Sequence, residues 1–150
     1  MRHATDDRRT MRRFAGVVAA IAIAVVCPVR AGAQAAGKYD GSVRMLCVPV
    51  TVVECADGGP DGECKRRTPA GVNLPQFLSV DVKAMTIQAE GGGRQSPVRN
   101  LEHLNGVLIL QGGQDGRGWT LTISEETGRM SGAVTTDGEG FIVFGACTLP

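Results

Sequence analysis

Apolar and polar positions along this chain follow two regimes. From Phe14 to Val26 thirteen consecutive residues are apolar or Gly. Beyond Arg44 the apolar residues instead recur at every second position in short stretches, the period of a half-buried β-strand. Leu46, Val48, Val50 and Val52 share one side of residues 44–55 and are predicted to face a core. Pro49 lies on the other side and has no N–H, so this strand is expected at an edge or with a bulge. Leu78, Val80 and Val82 alternate with Ser79, Asp81 and Lys83, and a turn at 83–85 leads to a short strand at 86–89. Trp119, Leu121 and Ile123 alternate in the same way with Thr120, Thr122 and Ser124. Residues 125–128 read as a hairpin turn with Gly128 at positive φ, and 129–136 as the returning strand. Residues 107–110 and 141–147 are apolar on both sides and predict covered strands. Val98, Leu101 and Leu104 lie three apart, which fits one turn of helix, although Val98 also suits the start of a strand. Loops are expected at 57–62, 90–97 and 112–118.

These elements predict an all-β domain at 34–150, an antiparallel sandwich or barrel of about seven or eight short strands. The first 33 residues read differently. A basic segment, the apolar run at 14–26 and the small-residue site Ala31-Gly32-Ala33 form a secretory signal peptide, with cleavage expected after Ala33 and Gln34 as the first mature residue. The run is shorter than the ~20 residues that span a bilayer, so no membrane span is expected after cleavage. Met11, followed by Arg12 and Arg13, is a second possible start. Cys27 follows Val26 rather than a small residue, which does not suit lipid attachment. The expected location is the periplasm or the extracellular space.

Charge and cysteine count refine this picture. The whole chain carries a net +1, but residues 1–33 hold six Arg and two Asp. The remainder is mildly acidic, which argues against nucleic-acid binding. Cleavage leaves Cys47, Cys55, Cys64 and Cys147, an even number that reads as two disulfides in an exported chain. Four cysteines allow three pairings. The preferred one is Cys55–Cys64, which brackets the turn-forming 56–63, with Cys47–Cys147 joining the first strand to the last. A zinc site is disfavoured, because there is no Cys-x-x-Cys and His103 is the sole histidine after residue 33.

Catalytic signatures are sparse. No Gly-x-Ser-x-Gly, Ser-x-x-Lys or His-Glu-x-x-His occurs. Only His103, with a carboxylate such as Asp81, Glu102, Asp115 or Asp137, offers the start of an acid–base site. One pattern occurs twice, Asp115-Gly116-Arg117-Gly118-Trp119 and Asp137-Gly138-Glu139-Gly140-Phe141. It suits a tight Asp-Gly turn followed by an aromatic on a buried face. Acidic Gly-rich calcium loops do not fit, because ligand positions fall on Gly59 and Thr68 when counted from Asp57. Lys65, Arg66 and Arg67 form the densest basic cluster, expected as edge protection or as an anion-binding surface. Arg94, Arg99 and Arg117 would widen a basic face if the fold gathers them.

The segment with Trp119, Leu121, Ile123, Thr127-Gly128 and Gly145-Ala146-Cys147 resembles small exported bacterial β-domains, a likeness that brings no catalytic or ligand residues with it. The expected role is non-enzymatic: binding, inhibition or an accessory envelope function, with an envelope protein or a small anionic ligand as partner and no cofactor. The alternatives are a small periplasmic hydrolase using His103 and a passive structural component of the envelope.

Overall fold

Tight turns lay the chain out as a meander. Asn105-Gly106 and Asp115-Gly116 have positive φ at both residues, the geometry of two-residue hairpin loops whose twist matches that of the strands. The computed structural model describes residues 37–56 and 63–150. The predicted signal peptide, with its helical run at 14–26, and the loop 57–62 lie outside the described residues. The strands are β1 (Met45–Ala56), β2 (Cys64–Arg67), β3 (Leu78–Asp81), β4 (Thr86–Ala89), β5 (Gln95–Leu104), β6 (Val107–Gln114), β7 (Arg117–Ser124), β8 (Arg129–Thr136) and β9 (Glu139–Thr148). A single 3-10 turn, Ala70–Val72, interrupts the connection from β2 to β3. Among the described residues no helix is long and apolar enough to cross a membrane.

All pairings are antiparallel. The sheet runs from β3 through β9 in sequence order, and β1 joins β3 on one side to β9 on the other. This closes a barrel of eight strands, with β2 as an extra strand beside the upper half of β1. The expected all-β domain is therefore a barrel rather than a sandwich. Cys47 stands opposite Cys147 across the closing β1–β9 pair, and a disulfide joins them over 100 residues of sequence. Cys55 stands opposite Cys64 on the β1–β2 hairpin and forms the second bridge.

Two bulges correct the sequence reading. In β1 the register slips between Pro49 and Thr51, leaving Val50 as the extra residue. Met45, Cys47 and Pro49 are buried before the slip and Val52 after it, whereas Val50 is 66% exposed. The stretch Leu46-Val48-Val50 thus faces outward, because one inserted residue exchanges the two faces of a strand. In β5 the slip falls between Val98 and Asn100, with Arg99 as the extra residue. Val98 and Leu101 then face the same way despite their spacing of three, so the ambiguous segment is strand and not helix. The predicted loop 90–97 shrinks because β5 begins at Gln95. The predicted loop 112–118 is strand except for Asp115 and Gly116. The cover expected over 141–147 is not found among the described residues at Ile142 and Phe144, which are exposed on the outer wall, whereas Val107 and Ile109 of β6 are half-buried.

The interior divides into two levels. Met45, Val80, Leu108, Leu110 and Ile123 are fully buried and fill the lower level. At the upper level the ring of Trp119 lies over Gly112, its cross-strand partner. A Cβ on Gly112 would run into that ring and into the Pro97 carbonyl oxygen.

Replacing Cys47 and Cys147 together by Ala should lower stability to urea by about 2–4 kcal/mol, and replacing Cys55 and Cys64 should cost less, because the closed loop is shorter. Gly112→Ala should destabilise the barrel by about 1–3 kcal/mol through overpacking. It should also shift the fluorescence of Trp119, the only tryptophan in the chain.

Candidate functional site

The repeated Asp-Gly-x-Gly-aromatic pattern builds the upper end of the barrel. Each copy turns one hairpin, at Asp115-Gly116 between β6 and β7 and at Asp137-Gly138 between β8 and β9. The third and fifth residues of each copy then fall on the inward face, because successive side chains in a strand alternate. Trp119 and Phe141 both lie opposite Val134 of β8, so the two copies sit at the same level. Arg117 and Glu139 stand nearest the turns, at the rim, while Gly118 and Gly140 face out. Turn formation and an aromatic on the inner wall are the roles the pattern predicts. That the copies combine into one enclosure depends on β7, β8 and β9 being adjacent.

The enclosure has two compartments, of about 240 and 170 Å³. The connection from β2 to β3 contributes Leu74 and Pro75 to both, and Val134 completes their shared apolar wall. Val52, Phe141 and Val143 extend the first compartment, and Leu78, Ile87 and Trp119 the second. Arg94, from the β4–β5 turn, and Arg117 line both. The two carboxylates are divided: Glu139 lines only the first and Asp115 only the second. Each compartment is therefore lined by two cations and one carboxylate. Neither guanidinium is held in an ion pair among the described residues.

The other candidate cations lie elsewhere. Arg99 is the bulge residue of β5, exposed on the outer surface. Lys65, Arg66 and Arg67 lie on β2, where every residue is exposed. Arg67 Nε contacts Glu54 Oε2 at 2.6 Å and Lys65 Nζ contacts Glu63 Oε2 at 2.7 Å. Neighbouring carboxylates thus already engage two of the three charges, and the strand occupies a sheet edge that such charges protect.

His103 sits at the opposite end of the barrel. Its Nδ1 lies 2.6 Å from Glu125 Oε1, and Glu125 is buried in the β7–β8 turn. The backbone of Glu125 is held by Tyr39 N–H, which donates to its carbonyl, and by Gly106 C=O, which accepts from its N–H. The carboxylate that meets His103 is thus Glu125 rather than any of the four expected. Sequence spacing hid this contact, because the turn is brought to His103 only by sheet register. Among the described residues no hydroxyl or thiol hydrogen-bonds His103. Nearby Asp40 has its carboxyl held below the usual range by hydrogen bonds from Ser42, with a smaller contribution from the charge of His103. Among the described residues no three His, Cys, Asp or Glu side chains converge as a metal site.

The sequence reading placed Gln114 in the candidate contact segment 112–118 but missed Trp119, Glu139 and Phe141 as cavity residues. Trp119 Nε1 and Gln114 Oε1 are inaccessible to solvent and have no hydrogen-bond partner among the described residues. The repeated motif carried a usable signal, since its third and fifth positions share a face. No family model, curated protein or solved structure matches this chain.

Proposed function

We propose that this chain is an exported, non-enzymatic binding module whose open barrel end takes a small organic anion with an apolar body. The observation that carries this reading is that Arg94, from the β4–β5 connection, and Arg117, at the start of β7, each line both compartments. An eight-stranded barrel has an interior just wide enough to hold one small ligand. A few placed polar groups on mostly apolar walls are the usual make-up of such sites. The cations orient an acid group, and burial of the apolar body supplies the driving force. The two disulfides support residence in an oxidising compartment, in keeping with the signal peptide read at 1–33.

Octanoate is a suitable probe, and its binding should change Trp119 fluorescence. Arg94→Ala and Arg117→Ala should each weaken octanoate binding by about tenfold, the scale of a lost charge-assisted hydrogen bond, with the melting temperature nearly unchanged. Unaltered affinity in both variants overturns the assignment. N-terminal sequencing of protein recovered from the envelope or the medium should begin at Gln34. A retained Met1 or Met11 would refute cleavage.

A further inference from the structure

Strand register sets a cation and a carboxylate in one row at the rim of the larger compartment. Thr136 of β8 pairs with Glu139 of β9, and Thr135 pairs with Gly118 of β7. Arg117, one residue nearer the rim than Gly118, therefore stands level with Thr136. Arg117, Thr136 and Glu139 each lie two residues from Trp119, Val134 and Phe141, which are paired across the same three strands. By alternation the row shares their inward face, and all three of its residues line the 240 Å³ compartment. Two strand spacings separate Arg117 from Glu139, about 10 Å between backbones. Glu139 is in no ion pair among the described residues, with Arg117 or with any other cation. Deeper in the same compartment the wall turns apolar, at Val52, Phe141 and Val143.

We infer that the acid taken by this barrel carries an ammonium group beside its carboxylate, so that the ligand class is an apolar α-amino acid, with the carboxylate toward Arg94 and Arg117 and the ammonium toward Glu139. This rests on the anion-binding reading above and adds a second recognition point to it. A plain acid brings a like charge toward Glu139 and leaves that carboxylate uncompensated, whereas an ammonium on the neighbouring carbon turns the repulsion into attraction. Both charges belong at one end of the ligand, because both signs lie at the rim and the apolar wall lies beneath. An ammonium at the far end of the chain would instead enter the apolar part, where an unpaired charge is costly. The smaller compartment has no equivalent row: its carboxylate, Asp115, is a turn residue at φ 53°.

The test compares octanoate, 2-aminooctanoate and 8-aminooctanoate by calorimetry on the intact mature chain. 2-Aminooctanoate should bind about tenfold tighter than octanoate, the scale of a hydrogen bond to a charged group, and 8-aminooctanoate should bind more weakly than octanoate. Glu139→Gln should abolish the advantage of the 2-amino acid without weakening octanoate. Glu139 is exposed, so this variant should keep the melting temperature of the parent. Asp115→Asn should leave the advantage intact. Equal affinities for octanoate and 2-aminooctanoate, a preference for the 8-amino acid, or an advantage that survives Glu139→Gln overturns the amino-acid assignment and leaves the anion site standing. Failure of all three acids to bind overturns both.

Discussion

The antiparallel pairing of β1 with β9 closes the sheet on itself, and the interior exists only because of that closure. Without it the chain would be an open meander with two unpaired edges and one apolar face in water. β1 can serve as the seam because it bonds to β9 along nearly its whole length and to β3 and β2 on its other side. The Cys47–Cys147 bridge crosses this seam at a pair of directly opposed residues. It ties together the two strands farthest apart in the barrel's sequence, where loop closure is entropically most costly. The Val50 bulge belongs to the same solution. It lets one strand present Met45 and Cys47 inward at one end and Val52 inward at the other.

Closure produces two unlike ends. The lower level is filled by the fully buried Met45, Val80, Leu108, Leu110 and Ile123. The upper level is built from two aromatics, a glycine beneath one of them, and short strands β3 and β4. Those short strands leave wall to be completed by the connection carrying Leu74 and Pro75. His103 and Glu125 close the opposite end with a short polar contact, so the chemistry that first suggests catalysis lies apart from the cavity.

Charge placement follows the same division. At β2 Lys65 pairs with Glu63 and Arg67 with Glu54 of β1, and such surface pairs are screened and contribute little to stability. At the cavity Arg94, from the β4–β5 connection, and Arg117, the first residue of β7, line the same two compartments. Glu139 and Asp115 are each confined to one side of them. Both cations thus border both compartments, whereas each carboxylate borders one, in a domain whose overall balance is mildly acidic.

By itself the sequence determined the class of fold, because a period of two punctuated by Asp-Gly, Asn-Gly and polar turns suits little else. The positions of β3, β4, β7 and β8 were legible for the same reason, as was the preferred pairing of cysteines around a turn. The faces of β1 and β5 were not, because a bulge changes which side is buried without changing composition. Tertiary structure alone decided that Arg94 and Arg117 line one cavity, that Arg99 does not, and that Glu125 is the partner of His103. Those are contacts between turns and strands whose neighbours are set by ring closure. Alternation along a strand tells which residues share a face, but only the closed sheet tells which faces look at one another.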